Sequence, residues 1–241
     1  MEKQTVLITG ANKGIGLETA RQLAKAGYYV YLGCRDKERG EEAASLLHKE
    51  GLTDVELLLL DVVSEESVQQ AYKELSGKIS HLDVLINNAG VLGTYMQSAL
   101  TTSDEIFREV FEVNLIGVAR MARIFVPLMQ NAPNPRIVNV TSDLGSLTLH
   151  SDPTWKHYDV KTAAYGPSKS ALNNYTLALA YELKDKFKVN AVNPGYTKTD
   201  FNHNQGYKSV EDGAAPIVEY AMIDKDGPTG GYFSDYGVTP W

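Results

Sequence analysis

The sequence predicts an α/β protein built on a doubly wound parallel sheet with helices on both faces. Short apolar runs alternate with helical patterns along almost the whole chain, and the residues with chemical potential fall just after those runs. No repeat, low-complexity tract or Pro/Gly/Ser linker interrupts the alternation, so residues 1–241 are read as one domain. Parallel strands need crossover connections, which the helical segments supply. Ligands in such sheets bind beyond the carboxyl ends of the strands.

Thr5–Thr9 is a short apolar first strand, and the helix after it carries Ile15, Ala20, Leu23 and Ala24 on one side before stopping at Gly27. Residues 28–33 form the second strand. Asp36 caps a helix over residues 37–50, whose buried side is Ala43, Ala44, Leu46 and Leu47. Residues 55–60 are almost all apolar, as suits a strand covered on both faces. Ser64 caps the next helix, with Glu65 and Glu66 well placed in its first turn. Val68, Ala71, Tyr72, Leu75 and Ile79 give it one buried stripe. Residues 82–87 form strand four, and a Thr102-x-x-Glu105 capping box opens a long helix reaching Asn131. Arg136–Val140 is strand five, residues 162–187 a long helix and residues 189–192 strand six. Residues 209–222 and 232–233 supply a last helix and strand.

Composition narrows the function. The chain is 43% apolar and 22% charged, an ordinary globular balance that excludes disorder and collagen-like structure. A net charge of −7 argues against nucleic-acid phosphate binding. No run approaches the ~18 apolar residues of a membrane helix. The apolar run at residues 6–8 is too early and too short for a signal peptide. The single cysteine, Cys34, excludes an internal disulfide framework and fits a reducing compartment. A cytoplasmic location is expected on those grounds, and the Asn-x-Thr triplets at Asn139 and Asn174 are read as accidental.

Gly10-Ala11-Asn12-Lys13-Gly14-Ile15-Gly16 joins the first strand to the first helix. Glycines let the backbone turn tightly and let a diphosphate approach main-chain amides at the helix start. A dinucleotide is therefore the expected ligand, although the spacing is Gly-x-x-x-Gly-x-Gly. The second strand ends Gly33-Cys34-Arg35-Asp36. An acid at that edge binds the ribose 2′-OH of NAD, whereas arginine accommodates the 2′-phosphate of NADP. Arg35, with Lys13 as a second cation, favours NADPH over NADH. Asp36 would reverse that reading if it held the acidic position; it is assigned to helix capping instead. A reactive Cys34 thiol is a third reading. Asp61, followed by Val62, ends strand three where a carboxylate can accept from an adenine amino group or simply brace a turn. Asn88, Ala89 and Gly90 follow strand four, where small residues suit close cofactor approach and amides suit loop bracing.

Tyr165 and Lys169 stand at i and i+4 on one helix face. A phenol ordinarily ionises near ~10. A close ammonium and an oxidised nicotinamide ring are expected to lower that value, so that the phenol can donate or accept a proton. Ser142, after strand five, is placed to hold a carbonyl oxygen beside it. Asn114 falls on the apolar stripe Phe107, Val110, Phe111, Val118, Ala122 and Phe125. An amide there is either a buried brace or the holder of a water that relays protons to Lys169.

Taken together, Thr9–Gly16, Asp61, Asn87–Gly90, Asn114, Ser142, Tyr165 with Lys169, and Pro194-Gly195 with Thr197 and Thr199 resemble the short-chain dehydrogenase/reductase family over nearly the whole chain. The resemblance implies a Rossmann-type sheet of about seven strands in the order 3-2-1-4-5-6-7 and hydride transfer between a nicotinamide and a carbonyl or alcohol. It makes Tyr165 the general acid/base and gives Lys169 the nicotinamide ribose. Ser142 would orient the carbonyl, Asn114 would support the relay, and Pro194, Gly195 and Thr197 would meet the nicotinamide. Asn12–Gly16, Arg35-Asp36 and the tail 230–241 look like the NADPH-dependent carbonyl reductases.

Between Ser142 and Tyr165, 22 residues intervene, and residues 146–163 look inserted near the substrate pocket. Monomer and homo-oligomer both stay open, since longer insertions there accompany monomeric members. His150 and His157 in this stretch are read as surface histidines, and no metal is expected. Leu92, Tyr95, Met96, Leu144, Trp155 and Tyr207 are the expected pocket for a hydrophobic carbonyl or alcohol. An NAD-linked dehydrogenase and a non-catalytic dinucleotide sensor are the alternatives.

Overall fold

Strand alternation sorts the apolar residues of the sheet to its two sides. In β1 (Thr5–Thr9), Val6 and Ile8 face one layer and Leu7 the other, as the two-residue period of a strand requires. The same division recurs in β4 (Val84–Asn87), with Val84 and Ile86 opposite Leu85, and in β5 (Arg136–Val140), with Val138 and Val140 opposite Ile137. The other strands are β2 (Tyr29–Cys34), β3 (Val55–Leu59), β6 (Lys188–Val192), β7 (Tyr232–Ser234) and β8 (Gly237–Val238).

The computed structural model describes residues 3–241. Its sheet runs β3-β2-β1-β4-β5-β6-β7-β8. The first seven strands are parallel, in the expected order, and β8 returns antiparallel to β7. This eighth strand is only two exposed residues long and carries no apolar pattern by which the sequence could have announced it.

One face is covered by α1 (Gly14–Lys25), α2 (Lys37–Lys49) and α8 (Val210–Ala221), which bury Leu23, Leu47 and Ile217 against it. The other is covered by α3 (Glu65–Ser76), α5 (Gly117–Met129) and α7 (Tyr165–Glu182), through Leu75, Phe125 and Leu179. The short helices α4 (Asp104–Phe111) and α6 (Leu147–Ser151) complete the set. A π turn, Glu112–Ile116, joins α4 to α5, so the long helix expected here is continuous but not regular.

Asp36 and Ser64 cap their helices as expected, accepting from the amides of Arg39 and Ser67. The Thr102–Glu105 box does not form; α4 starts after Ser103, whose side chain makes no capping bond to the backbone. Leu46 lies 44% exposed rather than on the buried side of α2. The helix expected from residue 162 begins only at Tyr165, because Thr162 turns its hydroxyl to accept from the Gly166 amide at 2.8 Å. Among the described residues, no helix is long and apolar enough to cross a membrane.

Candidate active site

A cavity of about 1090 Å³ runs along the carboxyl edge of the sheet. The connections leaving β1 to β6 contribute to it: Gly10 and Gly16 after β1, Arg35 after β2, Asp61 and Val62 after β3, and Asn88, Ala89 and Gly90 after β4. Ser142 follows β5, and Pro194, Gly195, Thr197 and Thr199 follow β6. Tyr165 and Lys169 of α7 close its inner wall. Asn12, Lys13, Gly14 and Ile15 line the same cavity. Of the residues expected in the site, Asn114 alone stands behind the wall.

The cofactor half is set by the turn after β1. Gly10 has φ +65° and lies so close to Ala89 that a Cβ would meet its Cα at 3.0 Å. At Gly16 a Cβ would come within 2.5 Å of both the Gly10 carbonyl and the Asn88 amide nitrogen. The Asn88 side chain is committed to that turn, donating to the carbonyls of Thr9 and Gly10 at 2.9 and 3.2 Å. Helix α1 has no side-chain cap and no acid in its first turn, whereas Asp36, Ser64 and Ser209 cap α2, α3 and α8. Its open amides and positive dipole end fit the diphosphate of a dinucleotide.

Arg35 is exposed at the end of β2. Asp36 accepts from the Arg39 amide at 3.1 Å, so its carboxylate serves α2. The neighbouring Cys34 is 2% exposed and burial pushes its thiol up to about 12, so thiolate is scarce there at neutral pH. Lys13 reaches across the cavity to Asp200 at 3.2 Å. Asp61 holds its own turn by accepting from the Val63 amide at 3.2 Å while still lining the cavity. The Thr197 hydroxyl turns back onto the carbonyls of Pro194 and Gly195, and Thr199 caps the 3-10 turn Asp200–Asn202.

On the inner wall, Lys169 donates from Nζ to the Val140 carbonyl at 2.9 Å and stands 5.8 Å from the centre of the Tyr165 ring. The two are 4% and 8% exposed. Burial pushes the Tyr165 phenol up to about 12, opposed by its contact with the Ser142 hydroxyl, and pushes Lys169 down to about 8. Among the chain's own groups burial therefore raises the phenol, where the sequence led to an expectation of lowering by the ammonium together with an oxidised nicotinamide. Asn114 is fully buried in the π turn. Its Oδ1 accepts from the Val91 amide at 2.9 Å, and its Nδ2 donates to the Val91 carbonyl and to Ser168 Oγ, both at 3.0 Å. The side chain thus braces the Val91 loop against α7.

Residues 4–209 match the family model for short chain dehydrogenases. The chain belongs to that family. Among curated relatives it is 39% identical to the short-chain dehydrogenase anuI of Penicillium roqueforti, over 91% of this chain and 88% of that protein. It is 35% identical to (+)-neomenthol dehydrogenase of Arabidopsis thaliana, over 95% of each. Among solved structures it superposes on salutaridine reductase from Papaver somniferum with a TM-score of 0.84 and 29% identity, covering 97% of this chain and 100% of that one. A short chain dehydrogenase from Escherichia coli CFT073, complexed with NADPH, gives a TM-score of 0.84 at 25% identity over 97% of each chain.

The end of the cavity away from the glycine turn is rich in aromatic side chains. Leu92, Leu144 and Trp155 line it, but Tyr95, Met96 and Tyr207 are 56%, 87% and 63% exposed and form a rim rather than a floor. Trp155 sits between His150 and His157, ring centres 5.2 and 5.4 Å away, and His157 continues to Tyr196 at 6.3 Å. Both histidines are half-buried, and burial lowers their pKa values. Among the described residues no cluster of His, Cys, Asp or Glu could hold a metal. The segment 146–163 is anchored to the chain's last residues, Ser146 Oγ donating to the Pro240 carbonyl at 2.6 Å and the Thr148 amide to that of Trp241 at 2.9 Å.

Three contributors carry no sequence signal. Gln97, in an irregular loop, bonds to the start of α7. Tyr232 donates to the Ser142 carbonyl at 2.6 Å, and Tyr236 to Asp143 at 2.7 Å. Their partners lie 67 to 93 positions away, beyond the reach of any periodicity.

Proposed function

We propose that this short-chain dehydrogenase is an NADPH-dependent reductase of ketones or aldehydes, reversible as an alcohol dehydrogenase. The observation that carries the reading is the convergence of Tyr165, Ser142 and Lys169 on one wall, where the glycine-turn half of the cavity meets its aromatic half. A nicotinamide bound there supplies the hydride. The open amides of α1, with Gly10, Asn12, Gly14 and Gly16, would hold the diphosphate. Arg35 and Lys13 would meet the 2′-phosphate, in keeping with the NADPH bound to the E. coli relative. Asp61 and Val62 would border the adenine.

The chain's own groups suit proton donation. With its pKa near 12, Tyr165 stays protonated at neutral pH and can give its proton to a carbonyl oxygen gaining negative charge. Ser142 steadies the same oxygen. Lys169 offsets the charge left on the phenol. Asn114 keeps the loop at Val91 against α7, so that Gly90 passes close to Lys169. The aromatic lining favours a hydrophobic carbonyl substrate over a charged one.

The test is Tyr165→Phe, assayed by NADPH oxidation across aldehydes, aryl ketones, keto esters and diketones. Turnover should fall by about 10²–10⁴-fold, with stability nearly unchanged. Retained turnover would remove Tyr165 as the donor.

A further inference from the structure

We infer that Gln97 is a positioning residue for Tyr165, fastening the first turn of the catalytic helix to the loop that borders the substrate. The inference rests on the reading of Tyr165 as proton donor.

Ala164, which precedes helix α7, offers no side-chain cap, no acid lies in the first turn, and Thr162 serves only the Gly166 amide. The amides of Ala164 and Tyr165 would be unsatisfied in a buried place. Gln97 Oε1 accepts from the amides of both Ala164 and Tyr165, at 2.8 and 2.9 Å. Its Nε2 donates to the carbonyls of Leu92 and Thr94, at 2.6 and 3.0 Å. Two donors and two lone pairs are therefore all in use. The amide cannot be turned over, because the reverse orientation would set its NH₂ against two N–H groups. Gln97 is 8% exposed and lines the cavity.

A second stitch lies one turn further along. Asn114 holds Val91 at both its amide and its carbonyl and donates to Ser168, whose hydroxyl donates to the Tyr165 carbonyl at 2.7 Å. Residues 91–97 are thus pinned to α7 on both sides of the Tyr165 backbone. The phenol and the loop that meets the substrate must shift together.

The choice of amide matters. A carboxylate at position 97 would keep both bonds to the helix amides and gain from the helix dipole. It would lose both donors to the loop, face the Leu92 and Thr94 carbonyls with negative charge, and oppose ionisation of Tyr165. A neutral group with acceptor and donors on one carbon satisfies both sides, and among side chains of this length glutamine provides it.

Gln97→Glu and Gln97→Ala would be compared with the parent protein, all saturated with NADP⁺. The Tyr165 ionisation midpoint is read from isotope-labelled tyrosine by NMR, its signal assigned with Tyr165→Phe. NADPH affinity and kcat for benzaldehyde or cyclohexanone are measured alongside. Gln97→Glu should raise the midpoint by about half a unit or more. Gln97→Ala should lower kcat about 10- to 100-fold, the scale on which misplaced groups lose rate, with NADPH affinity changed less than twofold. Because the added charge alone accounts for the Gln97→Glu shift, the deciding variant is Gln97→Ala: a merely structural glutamine would leave the midpoint and the kcat of that folded protein unchanged, and that result overturns the inference. If Gln97→Ala does not fold, the uncharged Gln97→Met, which keeps the side-chain length, is read in the same way by kcat against NADPH affinity. Undiminished turnover in Tyr165→Phe would instead strike the proton-donor reading, whatever the Gln97 variants show.

Discussion

Lys169 is held by the Val140 carbonyl at 2.9 Å, so the strand that delivers Ser142 two residues later also fixes the ammonium beside Tyr165. A charged amine has been drawn out of water to stand there, and its pKa falls from 10.5 to about 8. The unfolded chain binds that proton more tightly than the folded one. This group's burden on stability is therefore full below pH 8 and is relieved as the pH climbs towards 10.5. The burden is at most about 3 kcal/mol. Denaturant unfolding at neutral and alkaline pH should show the parent protein gaining on Lys169→Met as the pH rises, while the variant loses turnover. Parallel pH curves for the two would mean the lysine is not desolvated.

Cofactor choice should follow Arg35. Asp36 is occupied with capping α2, and Cys34 is buried, which leaves the guanidinium as the exposed group at the end of β2. Arg35→Ala should weaken NADPH by about 10- to 100-fold, the scale of a lost charge-assisted hydrogen bond, and leave NADH within a factor of about two. Fluorescence titration with both nucleotides measures this. Equal losses for the two would place the 2′-phosphate elsewhere.

Gly16→Ala should damage the turn itself. The added methyl would press within 2.5 Å of the Gly10 carbonyl and the Asn88 amide. Overpacking of this kind costs about 1–3 kcal/mol, and NADPH binding should drop further than stability if the shifted atoms form the proposed diphosphate cradle. An alanine variant with parental stability and affinity would show that the turn can relax.

Cys34 should resist thiol reagents in the native protein and react readily once the chain is unfolded. Its exposure is 2%, and burial holds the thiol near 12, so thiolate is scarce at neutral pH. Rapid native labelling would show that β2 opens far more often than its burial implies.

Much of this arrangement was legible in the residues. The alternation of apolar runs and helical stripes foretold seven parallel strands, because buried strands and amphipathic helices leave different periods. The glycine turn, Arg35, Ser142, Tyr165 and Lys169 could be placed because each follows a strand or shares a helix face. Long-range contacts were not legible. Gln97 is one amide in an irregular loop, and its partnership with Ala164 and Tyr165 exists only after folding. The burial of the Tyr165 phenol was not legible for the same reason: sequence spacing displays the ammonium at i+4 but not the depth at which the ring sits.

The π turn at Glu112–Ile116 closes with i→i+5 bonds and so carries a spare residue relative to an α turn. Removing a single amino acid there would restore the ordinary helix but swing everything upstream by about 100°. Val110 would leave its fully buried seat, and Asn114 would lose its alignment with Val91 and Ser168. Chain length at this point is therefore as constrained as side-chain chemistry, and a one-residue deletion should be more harmful here than many substitutions.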